Sequence, residues 1–365
     1  MPARGGRTAP VAERTLRFRA GEPGWDSWRE RAPHDFYHDA AYHALAERSG
    51  EGTAHLLVHG DPEHFVAWPY LVRDIDHRHV DGYSVYGYSG PFGTGLSDPI
   101  LLARAWDAFR EAWAEQRLVT LFTRFHPLLG NALPCAGLRG PSVRAGGESL
   151  TVGRSVSIDL TLSPEARRGA YRKVLRQEIA AAKRAGLVVA EDHAWQHQAR
   201  FAELYRETMS RNEASDRYRF DDAYLSGLRE ALGESAHLAL ARVGEEIVAL
   251  MLFTVRGDIA QAHLTGSSER WRHLSPTKVL IDGVADLART HGAAHLHLGA
   301  GRGGHEDSLF AFKRRFSPRL HDFVLGRWVL DPELDERLTA SAHPDGHPDE
   351  RYFPAYRAPP ARDEP

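Results

Sequence analysis

Residues 296–316 restrict the fold of this chain more than any other stretch: Leu296-His297-Leu298-Gly299-Ala300-Gly301-Arg302-Gly303-Gly304, then Asp307-Ser308-Leu309-Phe310-Ala311-Phe312-Lys313-Arg314-Arg315-Phe316. The opening alternation predicts a strand, and the residues after Asp307 predict a short helix with a basic end. Between them lie four glycines. Where a strand, a loop without side chains and a helix N-terminus meet, backbone N–H groups can face an anion or a developing oxyanion. The same glycines equally serve a connection that only turns the chain. Both readings stay open from this stretch alone.

A chain of 365 residues passes the roughly 250 at which single cores stop growing, so two domains are expected. Hydrophobic residues at 42% and charged residues at 26% fit a soluble globular protein with a sizeable core. The net charge of -3 excludes a general polyanion binder, so any nucleic-acid contact must come from a local basic patch. The single Cys135 excludes an internal disulfide and reads as a small buried apolar residue, which fits a cytoplasmic protein. Residues 1–20 carry Arg4, Arg7, Arg14, Arg17 and Arg19 without an apolar run, so they are expected to be a disordered start and not a secretory signal. No stretch approaches the roughly 18 apolar residues of a membrane span. A monomer is expected.

Taken in order, residues 36–46 predict a helix, and residues 55–59 and 65–73 predict a hairpin about the turn Gly60-Asp61-Pro62-Glu63. Tyrosines alternate with small residues over 83–93, a pattern shared by cross-strand packing and by pocket linings. A helix over 103–116 and a strand over 119–127 complete an α/β half, with the boundary near Gly147. Residues 151–162 predict a strand, and a helix over 163–185 is capped by Ser163 and stopped at Gly186. Arg168, Arg172, Arg176 and Lys183 lie at near-helical spacing away from the apolar stripe Tyr171, Leu175, Ile179 and Ala182. Such a face is either solvated charge or a binder of phosphates. A strand at 187–190, two helices flanking Arg211, Arg217, Tyr218 and Arg219, three strands, and a helix over 276–290 then lead to the opening strand. The fold class is therefore α/β with a mixed sheet, divided at residues 21–150 and 151–340. The tail, 341–365, is polar, but its segment 351–357 carries Tyr352, Phe353 and Tyr356 and is expected to dock on the body.

The 21 histidines suggest a metal, yet His295 with His297, His77 with His79, and His343 with His347 lack the carboxylate or Cys spacing of a zinc site, so no metal is expected. A Gly-x-Ser-x-Gly elbow and a P-loop are both missing from the sequence. Acetyl-CoA binding needs a glycine loop whose amides hold a pyrophosphate, and the corresponding stretch Arg270-Trp271-Arg272-His273-Leu274-Ser275-Pro276-Thr277 has no glycine and one proline.

A family resemblance rests on blocks in a fixed order: Pro69-Tyr70-Leu71-Val72-Arg73, Tyr86-Gly87-Tyr88-Ser89-Gly90-Pro91, Arg124-Phe125-His126-Pro127-Leu128-Leu129, the helix from Tyr171 to Gly186, Tyr205 to Arg211, His297-Leu298-Gly299, and Leu309 to Phe316. In these the chain resembles the Fem-type peptidyltransferases, relatives of the Gcn5-type acetyltransferases that take aminoacyl-tRNA as acyl donor. The resemblance implies two tandem acetyltransferase-like domains packed together, here without a long helical arm, and no cofactor beyond the donor substrate. It also implies peptide-bond formation on an amine of a cell-wall (peptidoglycan) precursor or small natural product. Lys313 matches the lysine that the family keeps at its reaction centre. Amides near Gly299 and Gly301 would assist it with the oxyanion, Arg73, Tyr86, Tyr88 and Arg124 would line the acceptor pocket, and Arg211, His297, Arg302 and Phe312 would contact substrate. Arg172, Lys173 and Arg176 would hold donor phosphates. An acyl-CoA N-acyltransferase and a non-catalytic ligand-binding module are the alternatives.

Overall fold

The computed structural model describes residues 13–139, 148–212, 220–344 and 352–359. The first half supplies strands β1 (Arg14–Arg19), β2 (Thr53–Gly60), β3 (Phe65–Asp74), β4 (Val80–Tyr83) and β5 (Leu118–Arg124). The second supplies β6 (Glu148–Asp159), β7 (Leu187–Glu191), β8 (Ala236–Val243), β9 (Glu246–Arg256), β10 (Ile259–Ser267), β11 (His295–Ala300) and β12 (Leu320–Val329). They form one 12-stranded mixed sheet in the order β1-β2-β3-β4-β5-β12-β6-β11-β10-β9-β8-β7. Each half holds one parallel pair, β4 with β5 and β10 with β11. The two halves are joined by β12, which returns from the end of the chain to pair antiparallel with both β5 and β6.

Helices cover both faces. They are α1 (Pro23–Arg29), α2 (Ala40–Arg48), α3 (Pro99–Glu115), α4 (Ala132–Cys135), α5 (Pro164–Gly169), α6 (Lys173–Arg184), α7 (Gln198–Arg211), α8 (Asp222–Leu232), α9 (Pro276–Thr290), α10 (Ser308–Lys313) and α11 (Pro332–Ala342). Under α3, Trp68, Trp106, Trp113 and Trp328 close the core of the first half. Under α6 and α9, Leu175, Ile179, Val279, Leu280, Val284 and Leu296 close that of the second. A third core belongs to neither half alone: Tyr42 and Leu45 of α2 pack with Leu225 and Leu228 of α8 and with Leu250 of β9. That shared apolar layer fixes the two halves against each other and so fixes the polar centre between them.

Three expectations are revised. Residues 14–19 are a paired strand and not part of a disordered start, because Leu16 and Phe18 turn inward against the shared core while the arginines between them face out. The helix expected over 163–185 is broken at Ala170–Arg172, where the Arg172 amide leaves the helical ladder to bond Arg315 O (2.9 Å) and Tyr171 buries its ring against Phe316. The helix expected from residue 36 begins as a 3-10 turn, Phe36–His38, capped by Asp35, and α2 starts anew at Ala40. Segment Tyr352–Arg357 lies on the first half, with Tyr356 Oη 3.0 Å from Thr120 Oγ1 and Arg357 paired to buried Asp81. Arg217, Tyr218, Arg219 and Arg351 lie outside the described residues.

Candidate active site

The parallel ladder between β10 and β11 runs through Ile259↔His295, Ala260↔Leu296 and Gln261↔His297, then stops. Immediately beyond, each strand carries a bulge: β10 between Ala262 and Leu264 against β9, and β11 between His297 and Gly299 against β6. Bulges end pairing and re-aim side chains, so the two strands part into an opening with Gln261 and His297 at its vertex. The bulge in β11 is completed by Gly299 at φ +80°, a conformation that strains any residue with a Cβ.

Four elements from both halves converge on this opening. Asp35, before the 3-10 turn, is fully buried, as is His126 at the end of β5, and their Oδ2 and Nε2 atoms are 2.9 Å apart. The amides of Leu128 and Leu129 donate to His126 Nδ1 (both 3.2 Å), so Nε2 is the ring nitrogen that donates to Asp35. Gln261 Nε2 donates to the same carboxylate (2.7 Å), and His297 Nδ1 donates to Gln261 Oε1 (2.8 Å). A polar chain His126, Asp35, Gln261, His297 thereby crosses the junction between the halves. Burial works against the Asp35 carboxylate, but hydrogen bonds from His126, Phe36 N and Gln261 outweigh it and hold the carboxyl below its ordinary range. Desolvation drives the His297 imidazole well below its usual value, so it is a weak proton acceptor; among the described residues its Nε2 has no hydrogen-bond partner.

Lys313 approaches from the end of α10. Its Nζ donates to Ala300 O (2.7 Å), and the amide of the same Ala300 donates to Tyr88 Oη (3.3 Å). Desolvation lowers the Lys313 ammonium to about 8, against a smaller opposing effect of Asp307. A Cβ on Gly299 would stand 3.3 Å from both Lys313 Nζ and Tyr88 Oη. The lysine, the phenol and bare glycine backbone thus share one small space, and the ammonium keeps two N–H groups beyond the one bonded to Ala300 O. Gly299→Ala is expected to cut turnover at least tenfold, because it both strains a left-handed position and displaces Lys313 and Tyr88. Steady-state kinetics beside an unchanged far-UV spectrum checks this.

The other expected residues divide. Tyr88 and His297 stand in the centre, their rings 5.1 Å apart, and Tyr86 lines the adjoining aromatic wall with Phe220 and His263. Gly301 serves packing, since its Cβ would collide with His305 O at 2.0 Å. The amides around it are spent internally: Arg302 N on Asp307 Oδ2, Gly304 N on Gly301 O and His305 N on Arg302 O. Asp307 also caps α10 through Phe310 N, so the loop is a closed turn and its helix end carries its own carboxylate. Arg302 is exposed, and Phe312 packs on Phe316. Arg73 stacks on Tyr83 and pairs with Asp81, which also holds Arg357; it anchors the C-terminal segment. Arg124 lies over the Phe122 ring. Arg211 bonds Ser267 O and Oγ and pairs with Glu269, tying α7 to β10. On the basic helix, Arg168 and Lys183 are paired with buried Asp282 of α9, and Arg176 donates to Gly169 O and Tyr171 O. Arg172 and Lys173 are exposed, and among the described residues no side-chain partner takes up either charge.

Asp35, His126 and Gln261 were not picked out from sequence. His126 stood inside a block used for the resemblance, and its place before Pro127 at a strand end was the available signal.

Residues 169–314 match the acetyltransferase (GNAT) domain family, and this span includes both splayed strands and Lys313. The chain superposes on FemX with a TM-score of 0.67 at 13% identity, covering 88% of this chain and 99% of that one. Its fold is that of FemX, with a GNAT-like domain at residues 169–314. This fold is shared with the C-terminal domain of a putative lysylphosphatidylglycerol synthetase from Agrobacterium fabrum (TM-score 0.54, 18% identity, 83% and 91% covered). It is also shared with L-PGS from Bacillus licheniformis (TM-score 0.50, 13% identity, 86% and 93% covered). No curated protein matches the sequence significantly. Each half has its own parallel pair, and among the described residues no helix forms a long arm. Among the described residues no helix is long and apolar enough to cross a membrane.

Proposed function

We propose that the protein transfers an amino acid from aminoacyl-tRNA to an amine of a peptidoglycan precursor or a small natural product. The observation that carries this reading is the Lys313 ammonium beside bare backbone at the mouth of the splayed strands, where a carbonyl oxygen can gain negative charge. The acceptor amine attacks the ester carbonyl of the donor. Lys313 Nζ, with Tyr88 Oη on the same space, stabilises the tetrahedral oxyanion. Collapse breaks the bond to the ribose oxygen, and that leaving oxygen takes the proton that the amine loses. His297 is too weak a base for the task and instead holds Gln261 in place.

The donor assignment is supported by the loop before α9, where an acyl-CoA enzyme needs free amides for a pyrophosphate. Here Arg272 N, Leu274 N, Ser275 N and Lys278 N are bonded to carbonyls of the loop itself, Pro276 has no N–H, and Ser275 is left-handed at φ 50°. Of the residues expected to hold donor phosphates, Arg172 and Lys173 at the start of α6 are left open to a polyanionic donor. Replacing both by glutamine is expected to raise KM for charged tRNA about tenfold and to flatten its log–log salt dependence by roughly 0.7–0.9 per cation removed, with kcat little changed. A double variant with wild-type KM and salt slope would remove these residues from the donor site.

A further inference from the structure

A cleft of about 880 Å³ opens at the β7 edge of the sheet, lined by Glu191, His193, Trp195, Arg229, His237 and His291 among others. It shares no residue with the centre described above. At its floor Glu191 ends β7, His237 lies on the neighbouring β8, and His291 caps the C-terminus of α9, which packs over both strands. His237 Nδ1 is 2.8 Å from Glu191 Oε1, and His291 Nε2 is 2.8 Å from Glu191 Oε2. One ligand atom from each of the three residues lies within 4.8 Å of the others.

We propose that Glu191, His237 and His291 bind a divalent zinc-type ion. Two imidazole nitrogens and a carboxylate oxygen are the donor set that zinc prefers where one position stays open to solvent. A tetrahedral ion with bonds near 2.0–2.2 Å needs its ligand atoms about 3.3–3.6 Å apart, so the carboxylate must draw back from each ring by roughly 0.5–0.8 Å. The two rings can close on the ion because their centroids are already 4.0 Å apart. His237 is fixed for this by stacking on Phe253 at 5.0 Å, and Glu191 is almost fully buried. On binding, each ring N–H that now faces Glu191 moves through water to the other ring nitrogen, leaving a lone pair for the metal. The fourth position faces the cleft, where His193 Nδ1, 3.6 Å from Glu191 Oε1, is within reach. Trp195 stands at the lip with φ 56°, an uncommon conformation for so bulky a residue and one that recurs at binding sites. Because the ligands come from β7, β8 and α9, the ion would also pin the helix to the sheet edge.

Full-length protein stripped with EDTA should bind one Zn²⁺ at this site with a Kd below about 1 µM in calorimetry, and Co²⁺ in its place should give the visible absorption of a low-coordinate site. His291→Gln, at a partly exposed helix end, should leave folding intact by circular dichroism. It should also weaken Zn²⁺ by on the order of 100-fold or more and abolish the Co²⁺ bands. His237→Asn should do the same. The proposal is overturned if the wild type takes up no tightly held ion, or if both variants bind Zn²⁺ and Co²⁺ as the wild type does. Either result would assign the three residues to a hydrogen-bonded triad that only braces α9.

Discussion

Replacing Asp35 by alanine is expected to destabilise the protein by about 3–5 kcal/mol, read as a large fall in the urea midpoint. The carboxylate has no exposed surface and accepts from His126, Gln261 and the Phe36 amide. Its removal leaves three buried donors with nothing to satisfy them, and that desolvation cost exceeds the value of any one bond. Asp35→Asn keeps an acceptor for part of the network and should lose less. The pH dependence has a definite sign. The folded carboxyl lies below its ordinary value of 3.8, so its stabilising contribution is fully present above that value and is lost as pH falls through the folded pKa. Since the network bridges both halves, the variant should also lower kcat before it unfolds.

Lys313→Met is expected to reduce kcat by about 10²–10³-fold, the range found when one preorganised oxyanion donor is removed. Methionine fills similar space without charge, and stability should hold or rise slightly, because the native site keeps this ammonium partly desolvated. The alkaline limb of the pH profile carries the same information. With desolvation setting the Lys313 ammonium at about 8, the charged form required for the oxyanion is lost as pH rises through that value, so kcat should fall there. Lys313→Arg should move the limb to higher pH even if it turns over slowly, which a purely structural lysine would not do.

The strand, loop and short helix that end in Lys313 were legible because each is local: alternation, glycines and a cap lie within 21 consecutive residues. The three-strand run over β8 to β10 and helix α9 were legible for the same reason. The role of the glycine loop was not. Glycines mark freedom of the backbone and do not say whether its amides face a ligand or, as here, bond to Asp307 and to one another. The basic helix shows a parallel limit. Four cations at near-helical spacing read as one face, but Arg168 and Lys183 are neutralised by Asp282, which lies about a hundred residues later in the chain. Arg176 is held by Gly169 O and Tyr171 O, so of that face only Arg172, with its neighbour Lys173, stays open to phosphates. Asp35, His126 and Gln261 were illegible as a group because His126 lies 91 residues and Gln261 226 residues from Asp35 in the chain, and only the fold brings the three side chains into contact. The setting of Arg73 is illegible for a related reason, since Asp81 and Arg357, which share its ion-pair cluster, come from a neighbouring strand and from the far end of the chain.

The most direct test of the account is acyl transfer from a pool of charged tRNA to a panel of amines drawn from cell-wall precursors and small natural products, followed by mass spectrometry. The account predicts a product heavier than the acceptor by one amino-acid residue, formed by the wild type, lost on prior ribonuclease treatment and slowed 10²–10³-fold in Lys313→Met. Transfer that survives ribonuclease and depends instead on an added acyl-CoA would contradict it.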